Sequence, residues 1–194
     1  MNRSELVNRN ISTVVNNLIE GAVIVFLVLI LFLGNLRAGL IVASVIPLAM
    51  LFAFNMMRVF NVTANLMSLG AIDFGIVVDG SIVILEGILA HIYGKQFRGR
   101  TLTRKEMDKE VEKGASGVAR SATFAVLIIL IVFFPILTLN GIEGKFFTSM
   151  AKTLVFCIIG ALILSLTYVP MMASFFLKHT IVVKPTLADR FFEK

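Results

Sequence analysis

The chain has 194 residues, of which 58% are hydrophobic and 15% are charged, and its formal net charge is +6. Soluble domains average about 45–50% apolar residues, so this composition excludes an ordinary soluble domain and indicates an integral membrane protein. The only cysteine, Cys157, excludes a disulfide framework and a cysteine metal site, and the two histidines, His91 and His179, do not have the spacing of a metal-binding motif.

Residues 1–18 form the first predicted element, an amphipathic lead-in helix. Its apolar residues recur at roughly helical spacing, but the segment is too polar to cross a membrane, and no signal-peptide cleavage pattern follows it. Residues 19–93 then contain three predicted transmembrane helices. The first covers about Ile19 to Leu36, and the second covers Ala38 to Met57 and contains Pro47, which predicts a kink.

The third predicted transmembrane helix, residues 65–93, carries three acids: Asp73, Asp79 and Glu86. An acid at the centre of a membrane helix costs roughly 2.5–3.5 kcal/mol on insertion scales. With a rise of about 1.5 Å per residue, Asp73 lies about 9 Å from Asp79 toward one membrane face and Glu86 about 10.5 Å toward the other. Asp79 and Glu86 also lie within about 20° of each other around the helix, so these two acids share a stripe.

Ionisable residues at membrane depth indicate function by default, and this pattern is typical of groups that carry protons. No Lys or Arg lies inside the other apolar segments, so the chain offers these acids no countercharge there. The structural alternative is that Asp73 and Glu86 mark helix ends while Asp79 bonds a neighbouring helix. Nearby Ser68 and Ser81 could bond either the carboxyls or their own backbone, and the glycines of this helix could serve close packing or a hinge.

Residues 94–120 form a polar loop that contains one predicted short helix. Thr103 and Glu106 have capping-box spacing, which predicts a helix from Thr103 to about Gly114. Residues 121–177 contain two more predicted transmembrane helices, about Ser121 to Asn140 and about Thr153 to Leu177, separated by a turn over 140–150. The tail, residues 178–194, is polar enough to leave the membrane. The predicted fold is thus all-α, a polytopic membrane bundle of five transmembrane helices.

The basic residues of the loops predict the orientation of these helices. One side carries thirteen of them and the other side five, and loops rich in Lys and Arg lie in the cytoplasm. The loop 94–120 and the tail 178–194 are therefore expected to be cytoplasmic, and residues 1–18 periplasmic. A chain that starts outside without a signal sequence also leads us to expect a preceding membrane helix that is absent from this sequence. The basic residues that give the chain its net positive charge serve to orient it in the membrane, so no nucleic-acid partner is expected.

The segment NLMSLGAIDFGIVVDGSIVILE, within residues 65–93, resembles the fourth membrane helix of the heavy-metal efflux branch of the resistance-nodulation-division (RND) transporters. The segment from Asn2 to Met50 is similar to that family's second and third helices, and LNGIEGKFF to its outer turn between the fifth and sixth. The resemblance covers nearly the whole chain, but only the second to sixth of the family's twelve membrane helices.

The resemblance implies that Asp73, Asp79 and Glu86 are proton-relay acids of a secondary active transporter that is not an enzyme and needs no cofactor. In the copper and silver subgroup methionines flank the central acid, whereas Val78 precedes Asp79 here, which favours divalent ions such as zinc, cobalt or nickel. Gly87 and Ser149 depart from the family's usual Asn and Pro. The residues that bind the metal stay unknown.

The implied partners are the other half of the transporter with its basic counter-residue, two further copies in a trimer, a periplasmic adaptor, an outer-membrane channel, the lipid bilayer, protons and a heavy-metal cation. The implied location is the inner membrane of a Gram-negative bacterium, with the N-terminus periplasmic and the C-terminus cytoplasmic. Two alternatives stay open: a segment of a multidrug RND transporter, and a truncated membrane fragment with no transport of its own. Adjacent acids would favour the multidrug branch, but the acids here are six and seven residues apart.

Overall fold

The computed structural model describes residues 19–31, 34–62, 74–94, 102–139 and 141–177, and every regular element in these ranges is an α-helix. In chain order the helices are α1 (Ile19–Leu31), α2 (Leu36–Val59), α3 (Phe74–Ile92), α4 (Arg104–Leu137) and α5 (Gly141–Phe176). Helices α2 to α5 are each long and apolar enough to cross a membrane, and α1 is apolar but shorter. The predicted all-α membrane bundle is therefore confirmed over these ranges, with four helices of full spanning length where five were expected.

Helices α2 and α5 pack against each other in opposite directions. The Ser44 hydroxyl, in the first half of α2, lies 2.9 Å from the Tyr168 hydroxyl near the end of α5. The Thr153 hydroxyl, early in α5, lies 3.5 Å from the sulfur of Met57 near the end of α2. Gly160 of α5 leaves room for the Phe52 ring of α2, since a Cβ at Gly160 would meet that ring at 2.5 Å.

Helices α3 and α4 form the second antiparallel pair, and two glycines bring them together. A Cβ on Gly114 of α4 would lie 2.8 Å from the Cα of Ile88, and one on Gly87 of α3 would lie 2.5 Å from Val118. Two neighbouring backbones can approach this closely only where no side chain intervenes. Close packing is therefore the observed role of Gly87, as one of the two interpretations of these glycines predicted.

Helix α4 corrects the prediction for the polar loop. Its predicted start holds, because the Glu106 carboxylate accepts hydrogen bonds of 2.9 Å from both the backbone N–H and the hydroxyl of Thr103. The predicted end near Gly114 is wrong, since the helix runs unbroken to Leu137. A glycine inside a helix costs about 1 kcal/mol relative to alanine, and the packing of Gly114 against α3 offsets that cost.

Helix α5 corrects the predicted outer turn. The turn expected over 140–150 is helical from Gly141 onward, and the described residues between α4 and α5 are only Thr138 and Leu139. Gly141 has a φ of +91°, which glycine adopts without strain, so the chain reverses direction at this residue. The prolines at 47, 135 and 170 all lie inside helices, as the predicted spans required.

The core lies among α2, α3, α4 and α5 and consists almost entirely of aliphatic side chains. Representative buried residues are Val45 of α2, Ile84 and Ile88 of α3, Met107 of α4 and Ile158 of α5. The outer surface is also apolar, most of all on the second half of α4, where the Ile131 side chain is 69% exposed. Such a surface requires lipid or another membrane segment around it.

Candidate functional site

Asp79 and Glu86 lie on one exposed stripe of α3, which we call the acidic stripe and which consists of Asp79, Val83, Glu86 and Ala90. These residues follow one another at intervals of three and four, so they occupy one side of the helix. The other sides of α3 are buried against neighbouring helices, as Ile84 and Ile88 show. Among the described residues, the helices that pack on α3 therefore leave Asp79 and Glu86 on an exposed side of it.

The third acid, Asp73, lies outside the described residues, so its place in the carboxylate ladder stays a prediction. Between the other two, the rise of a helix gives a separation of about 10.5 Å along the axis. Asp79 is the deeper of the pair, because its neighbour Gly80 approaches Val126 in the apolar half of α4. Glu86 is close to Gly87, which approaches the polar half of the same helix at Val118 and Gly114.

The Ser81 hydroxyl does not join the carboxylates. Its side chain is fully buried on the opposite side of α3, and its oxygen has no hydrogen-bond partner in the described part of the chain. Both interpretations of Ser81, a bond to a carboxyl and a bond to its own backbone, are therefore wrong within the described residues, and Ser68 lies outside them. The buried Ser165 hydroxyl nearby donates to its own helix, at the carbonyl of Leu162 at 2.8 Å.

A polar cluster joins the end of α3 to the start of α4. The His91 Nε2 lies 2.7 Å from one oxygen of the Glu110 carboxylate, and Lys113 donates to the other oxygen at 2.7 Å. Glu110 belongs to the polar first half of α4, before the apolar segment that begins near Ser121. The hydrogen bond from Lys113, and then that from His91, holds the pKa of Glu110 below its ordinary value.

Sequence reasoning missed this cluster and showed only that His91 lacks the spacing of a metal-binding motif. The spacing of Glu110 and Lys113 on one helix indicates a pair, but the contact with His91 depends on how α3 and α4 pack. Further contacts tie the same end of the bundle together across four helices. They are Asn35 with Tyr93 at 3.4 Å, Arg37 with the Phe176 carbonyl at 3.0 Å, Ser174 with Asp108, and the Arg104 guanidinium 4.5 Å from the centre of the Phe175 ring.

The described residues contain no group of three or more His, Cys, Asp or Glu side chains that could hold a metal ion. Cys157 is buried within α5. Asp79 and Glu86 lie too far apart along the helix to share one ion, because metal–oxygen bonds are about 2.0–2.6 Å long. What the two carboxylates can do chemically is take up and release protons.

The sequence profile of the AcrB/AcrD/AcrF family matches residues 1–194. The cobalt-zinc-cadmium resistance protein CzcA of Cupriavidus metallidurans is 48% identical over 183 residues, which are 94% of this chain and 17% of that protein. The nickel and cobalt resistance protein CnrA of the same species is 43% identical, over 93% of this chain and 17% of that protein. The crystal structure of a heavy metal efflux pump matches with a TM-score of 0.75 and 40% identity, over 88% of this chain and 16% of that one. This chain thus spans about a sixth of the length of these relatives.

Proposed function

This chain belongs to the AcrB/AcrD/AcrF family, in the heavy-metal branch of the RND transporters, and we propose that it is the proton-relay portion of a proton-driven efflux transporter for heavy-metal cations. The observation that carries the proposal is the acidic stripe. Two carboxylates on one open side of an apolar helix are costly in a membrane, and such groups persist where they move protons or ions.

The relay works through the charge of Asp79 and Glu86. A protonated carboxyl is neutral and tolerates an apolar or crowded surface, whereas a carboxylate requires water or a cation nearby. Protonation therefore changes whether the stripe is more stable against an apolar surface or against water. If one conformation of the transporter offers the apolar surface and another offers water, protons bind the two conformations with different free energies. That difference couples proton binding to the conformational change.

The acidic stripe is exposed, and we propose that it faces the other half of the transporter, which supplies the basic counter-residue. On this proposal the side of α3 that bears Asp79 and Glu86 meets a membrane helix from outside this chain. Asp73 extends the relay toward the periplasm. The three acids together then form a proton relay between the water on the two sides of the membrane.

The exported ion is proposed to be divalent, such as zinc, cobalt or nickel. Val78, immediately before Asp79, is an apolar residue buried in the core, so no methionine flanks the central acid on that side. Soft thioether ligands select monovalent copper, and their absence favours ions that accept harder ligands. The names of the similar proteins CzcA and CnrA refer to cobalt, zinc, cadmium and nickel.

The transporter is proposed to act in the inner membrane of a Gram-negative bacterium as a trimer, together with a periplasmic adaptor and an outer-membrane channel. The N-terminus is placed in the periplasm and the C-terminus in the cytoplasm. Export then draws on the proton gradient and involves no catalysed bond rearrangement, so the protein is a transporter and not an enzyme.

The decisive experiment measures metal-driven proton movement in liposomes that contain the full-length transporter. A pH-sensitive dye inside the liposomes reports protons while a zinc gradient is imposed. Asp79→Asn keeps the shape and the hydrogen-bonding capacity of the side chain but cannot titrate, so we expect it to abolish the signal. Glu86→Gln is expected to reduce the signal without abolishing it, because Glu86 lies nearer the end of the apolar region.

Val83→Asn is the matched control, since it places an amide on the same stripe one turn away and leaves both carboxylates in place. It should retain the signal. An Asp79→Asn protein that still couples zinc to protons, or a Val83→Asn protein that fails as completely, would contradict the relay. Folded protein is quantified in each case, because removing an acid from an apolar membrane helix can also change stability.

A further inference from the structure

One exposed side of α4 changes from basic and polar to apolar along the helix. Its residues follow one another at intervals of three and four, so they occupy a single side. We call this side the α4 stripe and define it by six exposed residues, Lys113, Ser116, Arg120, Phe124, Leu127 and Ile131. The change takes place within one turn, between the guanidinium of Arg120 and the ring of Phe124.

The α4 stripe faces away from the described helices that pack on α4. Gly114 packs on Ile88 of α3, and Asp108 bonds Ser174 of α5. At about 100° per residue, Gly114 and Asp108 lie about 120° from Arg120 in opposite directions around the helix. The side chains of the stripe therefore extend into the surroundings of the bundle.

Arg120 lies at the surface of the membrane when the apolar half of α4 spans the bilayer. From Arg120 to Leu137 the helix rises about 25 Å, which is close to the hydrocarbon thickness of about 30 Å. Arg120 is also the only charged residue between Lys113 and the end of α4. Because helical side chains lean toward the N-terminus, its guanidinium extends away from the hydrocarbon and toward the level of the lipid phosphates.

The charges near Arg120 favour an anion. A guanidinium can bind two oxygens of one phosphate at once, and Lys113 adds a second positive charge about two turns away. Lys113 also donates to Glu110 at 2.7 Å, which offsets part of its charge, so Arg120 is the main contact. The acids of α4 all precede Lys113 and lie farther from the membrane: Glu106, Asp108, Glu110 and Glu112.

The helix surface between these two cations is small-featured. Gly117 is exposed beside the stripe, and an added Cβ there would meet no atom within 4 Å. The Ser116 hydroxyl donates to the carbonyl of Lys113 at 3.1 Å, so it lies close to the helix backbone. A lipid headgroup can therefore approach the backbone of α4 next to Arg120.

We propose that the α4 stripe binds an anionic phospholipid, with its phosphate at Arg120 and an acyl chain along Phe124, Leu127 and Ile131. A phospholipid matches both parts of the stripe at once, because its phosphate is joined to its acyl chains. Another membrane helix in this place would have to supply an anion at the depth of Arg120. Among lipids, the anionic ones are favoured, since the cationic group of a zwitterionic headgroup offsets the phosphate charge.

The test places photoreactive p-benzoylphenylalanine at position 124 of the full-length transporter, in vesicles of equal parts phosphatidylglycerol and phosphatidylcholine. Mass spectrometry after illumination identifies the lipid that is attached. Adducts of phosphatidylglycerol should exceed those of phosphatidylcholine by about threefold or more, because Arg120 attracts the anionic lipid. Both leaflets have the same composition, so the result does not depend on the orientation of the protein.

Position 134 is the matched control position. Phe134 is exposed on the same helix, and it lies about 15 Å farther from Arg120 than Phe124 does, at the other end of the apolar half. The two lipids should therefore attach there in equal amounts. This comparison leaves Arg120 unchanged, so it tests the proposal even if a substitution of Arg120 lowers the amount of folded protein.

Two variants then test the role of the arginine. Arg120→Gln should bring the ratio at position 124 to about one, because it removes the charge that selects the lipid. Lys105→Gln removes the same charge from an exposed site about 22 Å farther from the membrane, beyond a Debye length of about 8 Å, and should retain the ratio.

Three results would each overturn the proposal. They are equal attachment of the two lipids at position 124, a preference that survives Arg120→Gln, and attachment of position 124 to protein instead of lipid. These outcomes are separate from those of the transport experiment, because cross-linking requires no proton movement and none of the relay acids belongs to the α4 stripe.

Discussion

The Glu110 carboxylate accepts hydrogen bonds from Lys113 and His91, each at 2.7 Å, and its side chain is only 15% exposed. Asp79 and Glu86 lie instead on the exposed side of α3. Glu110 thus joins α3 to α4, whereas the two acids of the acidic stripe lie at the surface of the described bundle.

Glu110 should make stability depend on pH in a defined direction. Its pKa is lowered in the folded state, so the stability that it contributes is fully present above its ordinary value of 4.5 and is lost as the pH falls through the folded pKa. At neutral pH, Glu110→Gln should lower the free energy of unfolding by roughly 0.2–1 kcal/mol, since Lys113 is largely exposed and solvent screens the pair.

The measurement is thermal unfolding in detergent between pH 7 and pH 3.5, for the wild type and for Glu110→Gln. The difference between the two proteins should shrink as the pH falls below 4.5. Glu112→Gln is the control, because Glu112 is an exposed acid of the same helix. A Glu110→Gln difference that stays constant over this range would show that the carboxylate charge does not stabilise the bundle.

At the scale of elements, the contact between α3 and α4 requires glycine at position 114 of α4 but not at position 117. Gly114 is buried, and a Cβ there would press on the backbone of Ile88. Gly117 is exposed, and a Cβ there meets no atom within 4 Å. The same substitution at these two positions should therefore have opposite effects.

Gly114→Ala is expected to destabilise the protein by about 1–3 kcal/mol, because two helix backbones must separate to admit the methyl group. Gly117→Ala is expected to stabilise it by up to about 1 kcal/mol, because alanine favours a helix more than glycine does. Melting temperatures of the purified proteins in one detergent would measure both. If the two changes shift the melting temperature equally, the close approach of α3 and α4 at Gly114 is not a determinant of the fold.

At the scale of the whole molecule, the basic residues and the antiparallel packing together predict how the bundle sits in the membrane. The ends of α2, α3, α4 and α5 that meet through Arg37, Tyr93, Arg104 and Phe176 form one end of the bundle. That end adjoins the loop and the tail in which Lys and Arg are concentrated, so we expect it to face the cytoplasm.

Cysteines at the two ends of α4 test this orientation. In intact spheroplasts an impermeant maleimide should label Thr138→Cys and leave Lys105→Cys unlabelled, since both positions are exposed but lie at opposite ends of the helix. Labelling of both cysteines in permeabilised cells is the control for reactivity. The reverse pattern in intact spheroplasts would place the cluster of His91, Glu110 and Lys113 on the periplasmic side.

The sequence by itself determined that this protein is a helical membrane bundle, where most of its helices lie, and that Asp79 and Glu86 share a stripe. These features depend on local quantities: the length of apolar runs and the fixed periodicity of the helix. The tertiary structure decided that α4 continues past Gly114, that Ser81 faces the core, that His91 meets Glu110, and which side of α3 stays open. Each of these depends on contacts between residues far apart in the chain, where the packing of one backbone against another outweighs local preference, and local periodicity carries no information about that packing.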